Sequence, residues 1–352
     1  SGPAAWPAPL PNGGMGRLRW TDGEHIAPPL MNIAFVVLPT VIFFSGLLAV
    51  LYHLGLMQFL IRGIAWVMVR TMGTSGAETL SVASNIFVGQ TEAPLMVRPF
   101  LARMTRSELM TVMVGGFATI AGGVLALYVG FLQHLIPDIA GHLMAASVMS
   151  APAALVIAKI IYPETATPAT LGVVRIEVPR TAANVIEAFG DGVTQGLQLA
   201  LNIGAMLIAF VAGVALINGL LALIPVSGSD PLSLQRLLGT VFRPIAWSLG
   251  VSWQEAGLLG TLLGEKLVAT ELIAYTHLGS LQPEVDISRR TAIIASYALC
   301  GFANFASVGI QLGGIGAMAP ERRRDLADLA LRAMVGGALA SWLTAAVAGM
   351  LL

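Results

Sequence analysis

Two carboxylates and a few amides and hydroxyls stand out because of their surroundings. In SNIFVGQTEAPLMVRPF, residues 84–100, Asn85, Gln90, Thr91 and Glu92 interrupt an apolar run; in WQEAGLLGTLLGEKLVATELIAY, residues 253–275, Glu265, Lys266 and Glu271 do so. A carboxylate at the centre of a membrane costs about 2.5–3.5 kcal/mol on insertion scales, which makes Glu92 and Glu271 site candidates by default. The structural alternative is an ion pair, Glu92 with Arg98 or Glu271 with Lys266. The second of these has poor helical spacing. Adjacent Glu265 and Lys266 fit a structural position at a rim.

Around the carboxylates stand neutral donors and acceptors, namely Asn85, Gln90, Thr91, Thr119, Asn304 and Ser307, with Val124 and Phe302 as apolar walls. This set suits an uncharged, polyhydroxylated or heterocyclic solute. Amides match the edges of bases, and a carboxylate accepts paired hydrogen bonds from neighbouring hydroxyls. An anionic solute would call for Arg or Lys at the same depth. No HExxH, GxSxG or phosphate-loop pattern occurs, so an intramembrane hydrolase or an ATP-driven pump lacks its machinery, and no enzyme is expected. The five histidines are scattered and Cys300 is the single cysteine, which leaves no visible zinc site and no internal disulfide.

The elements that must position these groups are membrane helices. Of the 352 residues, 56% are hydrophobic and 11% charged, against about 25% charged in soluble domains. The chain reads as an all-α polytopic membrane protein, with the lipid bilayer as its surroundings. Its formal net charge of zero gives no sign of a nucleic-acid partner. Residues 1–28, rich in Pro and Gly, read as disordered or as the edge of a fragment. Residues 29–352 form the membrane domain. Within it Pro29 to Leu60 reads as one apolar span, 109–132 as a second, and Leu143 to Ala158 as a shorter one ending at Lys159, placed to snorkel. Residues 187–224 give a long scaffold helix that outreaches a hydrocarbon core, followed by a loop near Val226. Spans at 291–320 and 326–352 complete the set. The segments 73–106 and 252–278 carry charges near their middles and read as two re-entrant hairpins. Such backbone is tolerated at membrane depth only where protein or water lines it. The basic loop Pro320–Asp325 points to the cytoplasm by the positive-inside rule, which leaves Arg289 and Arg290 on the opposite side.

Each hairpin is followed by a span containing Gly-Phe-Ala, at Gly116–Ala118 and Gly301–Ala303. A hairpin followed by a broken helix, occurring twice, is the pattern of an inverted-repeat transporter core, whose site lies between the repeats.

Several stretches together resemble the concentrative nucleoside transporter family: GQTEAPL after SNIFV, NVIEAFGDGVTQGLQLALNIGAMLIAF (184–210), GEKLVATELIAY (264–275) and CGFANFASVGIQLGG (300–314). The resemblance covers about residues 30–352. It implies that Gln90, Thr91 and Glu92 face a nucleobase, directly or through water. It implies that Glu271, with Asn304 and Ser307, binds ribose hydroxyls, and that Phe302 and Val124 lie beside the solute. It further implies a sodium site formed by Asn85, Thr119 and the carbonyls of Val88 and Ile120, a homotrimer, and no cofactor beyond the coupling ion. The chain departs from the family in having Gly-Glu-Lys at 264–266 for the usual Gly-Thr-Lys, Thr270-Glu271-Leu272 for Asn-Glu-Phe, and Thr119 where Ser is commoner. Two further N-terminal spans usual in bacterial members are absent from this sequence. The expectation is a secondary active transporter that imports nucleosides by symport with sodium, multi-pass in a plasma membrane (the inner membrane if bacterial). The rivals are a proton-coupled nucleoside symporter, a passive polar-solute channel and a non-transporting fragment.

Overall fold

The computed structural model describes residues 38–171, 182–224, 232–283 and 285–352. The N-terminal 28 residues and the loop near Val226 lie outside them. The described residues are all-α, with only isolated bridges between extended residues.

Helices α1 (Leu38–His53) and α2 (Leu56–Met72) are the first departure from the sequence reading. The apolar stretch expected to cross in one pass to Leu60 bends by 75° between them. Gly55 supplies the corner: its φ of 82° is open to glycine at no steric cost. Gly73, also left-handed, stops α2 and returns its N–H to the Val69 carbonyl.

Two capping boxes start the next helices. Ser75 and Glu78 begin α3 (Gly76–Asn85), and Thr105 and Glu108 begin α5 (Arg106–Ala118). Between them lie a 3-10 turn at Ala93–Val97 and the short α4 (Arg98–Leu101). After α5 the backbone opens at Thr119 and Ala121, both extended, and resumes as α6 (Gly122–Leu132). Helix α7 (Ile139–Ile161) follows. Lys159 near its end is held by Glu78 at 2.7 Å and Glu164 at 3.6 Å, so it serves a polar cluster as well as an interface.

The longest helix is α8 (Val185–Leu221), of 37 residues. It lies along α1, where Gly192 and Gly196 face Ser45, Gly46 and Ala49 so closely that a Cβ at either glycine would clash. Small residues let membrane helices approach in this way. Helices α9 (Leu234–Ser248) and α10 (Ala256–Val268) pair through Gly239, Gly260 and Gly264 in the same manner. Then come α11 (Glu271–Ser280), α12 (Arg289–Leu299), α13 (Phe305–Met318) and α14 (Arg323–Leu351). Helix α14 packs against α5, α7, α12 and α13, and thus runs through the middle of the fold.

Arg290 donates to the Gly349 carbonyl at 2.6 Å and to the Gly250 carbonyl at 3.4 Å. This explains a basic residue at the end opposite the 320–325 loop: it satisfies carbonyls at the C-terminus of α14, where a cation is favoured.

Candidate functional site

Four broken ends meet in the interior. Helix α10 stops at Val268 and α11 begins with Glu271 as its first residue, so the carboxylate lies at the positive end of a helix. Helix α12 stops at Leu299, and α13 begins after Asn304, whose side chain caps it by accepting from the Ser307 N–H at 2.8 Å. Gly301 makes the turn between them with φ 114°. Its Cα lies against the Phe117 carbonyl and the Ala118 backbone, so the two Gly-Phe-Ala segments cross in contact.

Glu271 is 6% exposed. It accepts from Asn304 Nδ2 at 2.8 Å and from the Tyr128 hydroxyl at 3.0 Å. Ser307, the residue that follows in this chain, accepts from Gln90 Nε2 at 3.1 Å. Gln90 Oε1 in turn accepts from Gln311 Nε2 at 3.1 Å. Glu271, Asn304, Ser307 and Gln90, drawn from three separate regions of sequence, thereby form one polar chain. Val124 lies one turn before Tyr128 on α6 and is buried in the cluster that also holds Leu272 and Tyr275, with Phe302 packed against it. Tyr128 and Tyr275 stack with ring centroids 4.1 Å apart.

The rest of the Gly-Gln-Thr-Glu motif is placed differently. Thr91 is half-buried, its methyl so close to Gly314 that a Cβ there would lie 2.7 Å away. Glu92 is exposed, with its carboxylate folded back over Gly89. The premise that Glu92 is a buried charge is therefore wrong. No ion pair joins Glu92 to Arg98 or Glu271 to Lys266 among the described residues.

Asn85 ends α3 fully buried. Its amide nitrogen donates to the Ser81 carbonyl at 3.1 Å, but its oxygen Oδ1 has no partner. A buried acceptor without a donor is costly and calls for a ligand. Directly beyond it, the Phe87 carbonyl accepts from the Gly122 N–H at 2.9 Å, which lays residues 85–88 beside the opened segment 119–121. There Thr119 donates to the Gly115 carbonyl at 2.9 Å, leaving its oxygen lone pairs free to accept. The buried Ile120 follows it. Hard neutral oxygens around an orphaned acceptor fit a small hard cation; Val88, half-buried, lies in the adjoining turn.

Sequence reasoning missed Tyr128 and Gln311, and put the structural Lys266 in the wrong place. Lys266 is not at a rim: it is 2% exposed and donates to the Ala298 and Cys300 carbonyls at 3.0 and 3.3 Å. It covers the C-terminal end of α12 where the helix breaks. Only Gln311 carried a signal, being the single amide on an apolar helix face one turn beyond Ser307.

Comparison with known proteins bears on the family and the fold. The family model described as "Na+ dependent nucleoside transporter C-terminus" matches residues 142–349, and one described as "Nucleoside recognition" matches residues 34–135. The "Uncharacterized transporter YutK" of Bacillus subtilis is 47% identical over 335 residues, covering 93% of this chain and 81% of that protein. "Sodium/nucleoside cotransporter 1" of Mus musculus is 44% identical over 336 residues, 90% of this chain but 51% of that protein, so the chain spans about half of this mammalian relative. Among solved structures, CNTnw in an inward-facing substrate-bound state shares 46% identity with a TM-score of 0.82, over 90% of this chain and 74% of that one. A variant of CNTnw in an outward-facing state gives the same TM-score of 0.82. By the sequence matched and the helical fold shared, this chain belongs to the sodium-dependent nucleoside transporter family.

Proposed function

We propose that this protein is a secondary active transporter that moves nucleosides across a cell membrane by symport with sodium. The observation that carries the reading is the polar chain Tyr128–Glu271–Asn304–Ser307–Gln90, buried where four helix ends meet; the buried Asn85 has a partnerless Oδ1 as well. Glu271 accepts from the ribose hydroxyls, with Asn304 and Ser307 beside it. Gln90 faces the base, with Thr91 and Glu92 reaching it through water, and Val124 and Phe302 wall the pocket. Sodium is held by Asn85, Thr119 and the carbonyls of Val88 and Ile120. It is a co-transported ion, and no cofactor is needed.

The segments 73–106 and 252–278 act as re-entrant hairpins, and 109–132 and 291–320 as broken helices, in two inverted repeats. Two contacts support the inversion. The base of the first hairpin adjoins the start of α14, where Arg106 pairs with Asp325 at 3.4 Å. The base of the second adjoins its end, through Arg290 and Gly349. The hairpins and broken helices move as a unit against a scaffold that includes residues 187–224, while 326–352 holds the breaks together. The working form is a homotrimer in a plasma membrane, the inner membrane in a bacterium.

Uptake of radiolabelled uridine and adenosine into proteoliposomes tests the reading. An inward sodium gradient should drive accumulation above equilibrium, and Asn85→Ala should raise the half-saturating sodium concentration by roughly ten- to a hundred-fold, the effect of one lost buried ligand. Accumulation in choline medium under a pH gradient alone would establish proton coupling instead, and equilibration without accumulation would establish a channel.

A further inference from the structure

Gln311 lies on α13, one turn beyond Ser307, and is fully buried. Its Nε2 stands 3.2 Å from the Met113 carbonyl of α5 and 3.1 Å from Gln90 Oε1. A backbone carbonyl can only accept, so the nitrogen end of Gln311 must face Met113. That nitrogen then donates its second proton to Gln90, which fixes the oxygen of Gln90 toward Gln311. The nitrogen of Gln90 is left to donate to Ser307 Oγ at 3.1 Å, with its remaining N–H unclaimed. The two ends of an amide have nearly the same shape, and only the bonding network tells them apart. Here one carbonyl on a rigid helix sets the direction of the whole chain. A flipped Gln311 would set oxygen against oxygen at Met113 and turn its nitrogen away from both acceptors.

We propose that Gln311 is a specificity-determining positioning residue: it holds the Gln90 amide with N–H toward the solute, so that this position selects base edges that offer an acceptor. The inference rests on the reading that Gln90 faces the base. Gly116 supports it from the opposite side. A Cβ at 116 would fall 2.7 Å from Gln311 Nε2 and 3.1 Å from Gln90 Cβ, so the first Gly-Phe-Ala leaves the gap that the two amides fill.

Two variants separate this role from simple packing. Gln311→Met keeps the length and removes the donor. Gln311→Glu has at most one proton to give, which the Met113 carbonyl claims, so Gln90 must turn its N–H toward it and show its oxygen to the solute. The readout is competition by uridine and by cytidine, whose bases exchange donor and acceptor along one edge. It is expressed as a ratio of half-inhibitory concentrations, which the amount of folded protein does not affect. Both variants should shift that ratio by about ten-fold, the scale of one buried hydrogen bond. In a Gln90→Ala background the same variants should leave it unchanged, because Gln311 acts through Gln90. An unshifted ratio in the variants that fold, or an equal shift without Gln90, would overturn the proposal. Gly116→Ala, which pushes the pair apart from α5, should shift the ratio in the same background-dependent way. If Gln90→Ala by itself leaves both the ratio and the affinities at parental values, it is the base-site reading that fails, not the positioning alone.

Discussion

Glu271 shows how its surroundings shape what one residue can do. As the first residue of α11 it lies at a helix N-terminus, and it holds two donors, from Tyr128 and Asn304. A carboxylate retains further acceptor capacity after two such bonds, enough for adjacent sugar hydroxyls. Charge-assisted bonds to hydroxyls are stronger than neutral ones. Glu271→Gln should therefore weaken ribonucleosides more than 2′,3′-dideoxynucleosides and narrow the gap between them by about ten-fold. Competition assays with the two nucleoside types measure it, and an unchanged gap would remove Glu271 from the sugar site. Lys266 is the contrasting case. Its charge made it a candidate partner for Glu271, yet no ion pair joins them; its ammonium donates to the carbonyls of Ala298 and Cys300, with Ser341 also donating to Cys300.

Among elements, the two Gly-Phe-Ala segments meet at a close backbone contact. Gly301 has φ 114°, and an added Cβ would lie 2.7 Å from the Phe117 carbonyl and 2.8 Å from the Ala118 carbonyl carbon. Both the backbone strain and the clash fall on one atom. Gly301→Ala should cost about 1–3 kcal/mol or more and lower the melting temperature in detergent. Parental melting and parental uptake together would mean that the crossing yields easily. Polar clasps also join helix starts. At the first, Ser75 donates to Glu108 at 2.5 Å, joining the starts of α3 and α5. At the second, Glu255 accepts from the Ser288 N–H at 2.6 Å and the Thr291 hydroxyl at 2.7 Å, joining the starts of α10 and α12. Each clasp ties the start of one helix to the start of another further along the chain, a link that the proposed joint movement of these segments would need.

For the whole molecule, the outer face of α8 is strongly apolar, with Ile186 84%, Leu201 66% and Leu216 67% exposed. Such a face must meet lipid or other subunits. Mass measurement in lipid nanodiscs should give three copies of the chain per particle; a monomer that still accumulates nucleosides would set the trimer aside. The sequence by itself determined the membrane class, the all-helical fold and the family, because hydrophobic runs, their polar interruptions and the Gly-Gln-Thr-Glu motif are local patterns written along one stretch of chain. It also pointed to Asn85, Gln90, Glu271, Asn304 and Ser307, since polar groups in an apolar run are conspicuous wherever they end up. Only the tertiary structure decided that Gln90 meets Ser307, that Glu92 is exposed and that α1 and α2 bend apart at Gly55. It alone revealed Tyr128, Lys266 and Gln311 as partners of the polar chain and of the helix breaks. The reason is physical: a hydrogen bond depends on where broken helix ends cross in space, and residues more than two hundred positions apart carry no shared local signal of that crossing.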